Sequence, residues 1–85
     1  MSEQLFKLRD IKLGDRIYED DDNFYTVLLE GGRKTLFQDD ISLGVLSDVY
    51  DEDLNSMDPL ESDASKVVRN GKVVFQRKED LMEEE

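Results

Sequence analysis

A small, mainly β domain, bordering on α+β, is the fold class this sequence predicts, and three observations predict it. Two short stretches rich in β-branched and aromatic residues are each split by a two-residue tip, Gly31-Gly32 and Asn70-Gly71. Such dipeptides supply the positive φ values that tight hairpin turns require. Helical spacing inside the body of the chain is confined to Val45/Val49 and Leu46/Tyr50, enough for one short helix. With 85 residues, 38% of them apolar, there is room for one domain with a modest core. The expected architecture is a small twisted antiparallel sheet or an SH3-like barrel, built from roughly four to six short strands. The domain is expected to span residues 1–78, with an acidic, frayed tail over 79–85.

Each element has its own justification. Phe6 to Tyr18 reads as a lead-in, a tight turn at Gly14-Asp15, and a strand. Glu19 to Asn23 is an acidic loop. Phe24 to Leu29 reads as a strand, and Arg33 to Gln38 returns beside it. With Gly31-Gly32 at the tip, Glu30 lies opposite Arg33, Leu28 opposite Thr35, and Val27 opposite Leu36. The opposite charges of the first pair contribute about 0.2–1 kcal/mol and help fix the register. Ile41, Leu43 and Val45 alternate as a strand would, followed by a helical turn near Leu46–Tyr50. Asn55 to Ser65 contains the single proline, Pro59, and reads as a loop. In the last hairpin Val68 is expected opposite Val73 and Val67 opposite Val74, with Val68, Val73 and Phe75 forming the core face. Arg69 and Lys72 then face each other as like charges, which is unfavourable unless a carboxylate lies beside them. The tail from Lys78 begins with helical character, but Glu83-Glu84-Glu85 opposes the helix macrodipole.

Composition narrows the function. The chain holds 22 Asp and Glu against 11 Lys and Arg, a formal charge of −11, with neither Cys nor His. From Thr35 to Ser65 there are nine carboxylates and no base. The charge argues against direct contact with DNA, RNA or an anionic membrane, since phosphates would be repelled. Without cysteine there is no disulfide framework or thiolate chemistry. The opening Met1-Ser2-Glu3-Gln4-Leu5 does not resemble a secretory signal, and the longest apolar runs are far too short to span a bilayer. A cytoplasmic chain is the expectation.

Catalysis finds little to work with. There is no histidine base, no cysteine nucleophile, and no serine in a nucleophile-elbow setting. The chain is expected not to be an enzyme and to need no cofactor. Glu19-Asp20-Asp21-Asp22 and Asp51-Glu52-Asp53 offer hard oxygen ligands, yet the spacing of a calcium loop breaks within half its length and lacks the required glycine. Zinc has no Cys or His to hold it. No metal site is expected, and the plainer reading of both runs is a solvated loop. Glu30-Gly31-Gly32-Arg33-Lys34 sets backbone amides beside two cations, as anion nests do, but lacks P-loop spacing. Arg33 and Lys34, with Arg69 and Lys72 of the last hairpin, are the candidate anion-binding residues.

The acidic centre has two readings. Solubility alone explains many acidic surfaces. A protein that occupies the nucleic-acid-binding groove of another protein also needs carboxylates in place of phosphates, and they speed its approach. The candidate acidic face is Asp48, Asp51, Glu52, Asp53, Asp58, Glu61 and Asp63, with Tyr50, Leu54 and Met57 as apolar anchors. The basic residues gather near the N-terminus and in the last hairpin. The plainer reading is that they offset acidic neighbours. The sharper one is a basic sheet face opposed to an acidic loop face, suited to self-association or to recruiting an anionic ligand to one side.

Three segments carry a resemblance in their order along the chain: Asp10-Ile11-Lys12-Leu13-Gly14-Asp15-Arg16, then Tyr50-Asp51-Glu52-Asp53-Leu54, then Lys66 through Glu79. Together they resemble small acidic proteins encoded by bacteriophages and prophages of Gram-positive bacteria. Asp63-Ala64-Ser65 departs from the apolar lead-in those proteins carry before the last hairpin. The resemblance implies an accessory protein acting on a host factor by binding. The function expected first is inhibition of a host nucleic-acid-binding or immune protein, one with a basic surface, through a nucleic-acid-mimicking acidic face. The alternatives are an oligomeric sponge for a nucleotide-derived immune signal and a virion structural or assembly protein.

Overall fold

The computed structural model describes residues 6–77. The tail expected to fray lies outside the described residues. A short 3-10 turn (Leu8–Asp10) precedes six strands: β1 (Arg16–Tyr18), β2 (Phe24–Glu30), β3 (Arg33–Gln38), β4 (Ile41–Val45), β5 (Lys66–Arg69) and β6 (Lys72–Gln76). Among the described residues there is one α-helix, the single turn α1 (Leu46–Val49), which follows β4 directly. The strands form one open antiparallel sheet in the order β4-β3-β2-β1-β5-β6. The chain therefore makes a four-strand meander, then crosses back through residues 50–65 to place β5 on the free edge of β1. The mainly β expectation holds, in its open-sheet form and not as a closed barrel.

The first hairpin has the register that its tip dictates. Glu30 pairs with Arg33, Leu28 with Thr35, and Val27 with Leu36. The second departs from simple alternation. Val68 pairs with Val73 as expected, but Val67 pairs with Phe75, because Val74 is an extra residue forming a bulge. Phe75 faces the core as expected, but the bulge takes Val73 off that face and Val67 joins it instead. Val67 and Phe75 point into the core, while Val73 is 52% exposed. The Phe75 ring thereby reaches Phe6, with centroids 5.5 Å apart. A second bulge in β4 leaves Leu43 unpaired between Ser42, opposite Phe37, and Gly44, opposite Leu36. Gly44 has φ 140°, and a Cβ there would lie 3.6 Å from Val49 Cγ2. The positive φ is what favours glycine at this bulge, just before α1.

One face of the sheet carries the core. Ile17, Val27, Leu36, Val67 and Phe75 come from the strands, and Ile11, Leu46, Tyr50, Leu54 and Ala64 come from the segments that cross over them. The long connection is held down by Arg77, just past β6. Its guanidinium donates to the carbonyls of Ala64 (2.8 Å) and Leu54 (3.0 Å) and to Asn55 Oδ1 (3.1 Å). Among the described residues, no helix is long and apolar enough to cross a membrane.

Candidate functional site

Strand polarity decides where the charges go. β1 runs toward Tyr18 and β3 toward Gln38, so the β1–β2 loop (residues 19–23) and the β3–β4 turn (Asp39, Asp40) emerge at the same end of the sheet. The crossover arrives at that end as well, where Ser65 N–H donates to the Tyr18 carbonyl (2.7 Å). Glu19, Asp20, Asp21, Asp22, Asp39, Asp40, Asp58, Glu61 and Asp63 are thereby gathered at one end. Arg33, Arg69 and Lys72 sit toward the other, at the strand ends flanking the opposite turns and beside Glu30 and Asp15. Arg16 starts there but lays its guanidinium over the Phe24 ring (5.1 Å). The segregation is between ends of the sheet, not between a basic face and an acidic loop face. Lys66 and Arg77 depart from it, since both lie at the acidic end.

The seven expected acidic residues divide into groups. Asp48, Asp58 and Glu61 line a groove of 680 Å³, and Glu19 joins them there. Its apolar lining is Leu36, Leu43, Val49, Met57 and Pro59. Asp51, Glu52 and Asp53 lie elsewhere, beside the 3-10 turn. Glu52 O accepts from Leu8 N–H (2.9 Å), and Asp53 Oδ1 pairs with Lys7 Nζ (2.5 Å). Several of these acids build the loops that carry them. Asp51 Oδ1 accepts from the Asp53 and Asn55 amides (2.9 and 3.1 Å), Asp58 Oδ1 from the Leu60 amide (2.9 Å), and Asp63 Oδ1 from the Ser56 amide (2.7 Å). Short acidic side chains readily close turns in this way.

The anchors change too. Tyr50 and Leu54 are fully buried core residues and cannot meet a partner. Their spacing beside acids reads as a surface patch in the sequence, but Leu54 takes a left-handed conformation (φ 67°) that turns its side chain inward. Met57 is 56% exposed and stays a candidate, and Leu60 beside it is 90% exposed.

Glu19 is the residue that sequence reasoning missed. It sits at the end of β1, where its Oε2 accepts from the Tyr25 hydroxyl (3.1 Å) and the Tyr50 hydroxyl (3.5 Å). Burial pushes its carboxyl above the usual glutamate range, and the neighbouring charges of Glu61 and Asp20 add to this against the two hydroxyls. The same proximity, after burial, pushes the Tyr25 phenol up to about 12 and raises Tyr50 further. The available signal was the hairpin register itself, which sets Tyr25 opposite Ile17 and brings Glu19 round to it.

The cationic candidates also divide. Arg33 and Lys34 line a second cleft, of 520 Å³, together with Arg9, Glu52 and the apolar Leu8, Val45 and Leu46. Lys34 Nζ donates to the Ile11 carbonyl (2.5 Å). Arg69 is engaged within the fold. Its Nε and Nη2 reach the two Asp15 oxygens (both 2.9 Å), and Nη2 also donates to the Asp10 carbonyl (3.0 Å). Asp15 is the carboxylate that relieves the like-charge pair Arg69–Lys72, and it removes Arg69 from the candidate anion site. Lys72 is exposed at the Asn70-Gly71 tip, away from the Arg33–Lys34 cleft. Among the described residues no cluster of three or more His, Cys, Asp or Glu is disposed to hold a metal ion. Comparisons with protein-family models, with curated proteins and with solved structures found no match for this chain.

Proposed function

We propose that this chain is a non-enzymatic accessory protein, of the kind phages encode, that inhibits a host protein by covering its nucleic-acid-binding surface with the acidic end of the sheet. The observation that carries the reading is the convergence of the β1–β2 loop, the β3–β4 turn and the crossover at one end. A nucleic-acid-binding protein presents lysines and arginines to a row of phosphates. Carboxylates on a fixed scaffold supply the same sign of charge without the strand. Complementary fields of this sort steer encounter and select the partner more than they add raw affinity. The resemblance to small phage proteins supplies the setting.

The test is competition. The protein is immobilised, exposed to host lysate, and the captured protein is identified and re-tested in purified form. Elution is expected to fall steeply into the low-salt part of a gradient, and duplex DNA or RNA is expected to displace the chain. Binding that survives high salt, or that nucleic acid leaves untouched, would refute the reading.

A second reading, sequestration of a nucleotide-derived signal, draws on the cleft that Arg9, Arg33 and Lys34 share with Leu8, Val45 and Leu46. Cations beside an apolar wall suit a phosphate joined to a base. A thermal shift with cyclic nucleotides, lost in Arg33→Ala, is the outcome that would favour it.

A further inference from the structure

The acidic end contains more than a charge. Its groove is lined by Leu43, Val49 and Met57 together with carboxylates from three different segments of the chain. Among the described residues, no Lys or Arg lines it. Glu19 is fixed in place by the two tyrosine hydroxyls, at 3.1 and 3.5 Å. Hydroxyls orient a carboxylate without neutralising it, and burial with the nearby Glu61 charge opposes its ionisation.

Three kinds of occupant can be compared on chemistry. A phosphate or nucleotide would meet carboxylates of its own sign. A purely apolar segment would cover Leu43 and Met57 but strip water from Glu19 and Asp48 with nothing in return. A long cationic side chain suits both kinds of lining, because its methylenes cover apolar surface while its head reaches a carboxylate. We propose that the groove is the docking site for a Lys or Arg side chain flanked by apolar residues, presented by the partner protein. The head would meet Glu19, and the flanking residues would lie on Leu43, Val49 and Met57. This inference rests on the acidic-end reading for the partner's identity, but its geometry stands on the groove alone.

The test is an NMR titration of the full chain with a blocked Leu-Arg-Leu tripeptide, and with blocked Leu-Glu-Leu as the control. Saturable shifts are expected at the Glu19, Leu43, Val49 and Met57 amides with the arginine peptide only. Glu19→Gln keeps an oxygen for both tyrosines and is expected to weaken binding roughly tenfold, the scale of one charge-assisted hydrogen bond. Met57→Ser, at an exposed position, is expected to weaken it several-fold without disturbing the fold. Equal shifts with both peptides, shifts spread evenly over the acidic loops, or unchanged affinity in Glu19→Gln would each overturn the proposal. Displacement of the captured host protein by nucleic acid without groove-centred shifts would leave phosphate mimicry standing and remove the groove. Groove-centred shifts without that displacement would do the reverse.

Discussion

Asp15 and Arg69 form a bidentate pair that ties the turn before β1 to β5. Asp15 is fully buried, at the turn that opens β1, and Arg69 lies at the far end of the sequence, in β5. Burial alone would push the Asp15 carboxyl up and is the largest single influence on it. The bidentate Arg69 contact and the Lys12 amide (2.8 Å) outweigh that and hold it below the usual aspartate range. A depressed carboxyl contributes stability that is complete above its unfolded value and lost as pH falls through its folded value. Arg69→Ala is expected to lower stability at neutral pH by about 3 kcal/mol, the lower end for breaking a buried pair, since Arg69 keeps part of its side chain in solvent. In that variant burial is opposed only by the Lys12 amide and charge, so the Asp15 value rises relative to wild type and the variant improves against it as the carboxyl protonates. The gap measured by urea denaturation should therefore narrow below about pH 4. A gap constant with pH would show that Arg69 acts through packing alone. This pair was half-legible in the sequence. The unfavourable Arg69–Lys72 juxtaposition called for a nearby carboxylate, but nothing in the local pattern could say which of so many acids supplied it.

At the scale of elements, the two hairpins and the crossover differ in what sets their shape. Gly31-Gly32 and Asn70-Gly71 fix their turns locally, with positive φ at all four positions, and the adjacent pairs follow from those turns. Local rules cannot foresee a bulge, whose cause lies in packing. Val74 is displaced so that Phe75 can face the core beside Val67. The crossover depends still less on its own sequence pattern, being held by Asp51 from within and by Arg77 from outside. Hence Tyr50 and Leu54, whose spacing beside acids suggested a surface, lie in the core. The acids of this region accordingly separate into scaffold and surface. Asp51→Ala is expected to destabilise by about 1 kcal/mol by orphaning two loop amides. Glu61→Gln, at an exposed groove position, should stay within about 0.5 kcal/mol of wild type. Thermal melts of the two single variants decide this, and equal losses would mean that the carboxylate hydrogen bonds do not hold the loop. The distinction bears on function as well. Neutralising Asp51, Glu52 and Asp53 together would damage the fold, so loss of binding in that variant would say little about a binding face.

For the whole molecule, net charge and charge arrangement make separable predictions. A chain at −11 repels itself, and gathering the acids at one end concentrates that repulsion. The concentration was latent in the sequence. Once the first hairpins are drawn, antiparallel polarity places Glu19–Asp22 and Asp39–Asp40 together, yet a residue-by-residue count shows only acidic loops. Two charge reversals separate the effects, because each changes the net charge by the same amount. Asp21→Lys puts a cation among the acids of the β1–β2 loop. Glu52→Lys puts one into the cleft already lined by Arg9, Arg33 and Lys34. If net charge alone governs stability, both raise the melting temperature at low salt. If the arrangement governs, Asp21→Lys stabilises by roughly 0.5 kcal/mol and Glu52→Lys destabilises by a similar amount, the scale of exposed charge interactions. Both differences should fade as added salt shortens the screening length to a few ångströms. Opposite signs that converge at high salt would establish the polarity as a physical property of the folded chain. Equal signs would mean that the two ends are electrostatically indistinct, and the acidic end would then have no special claim on a basic partner.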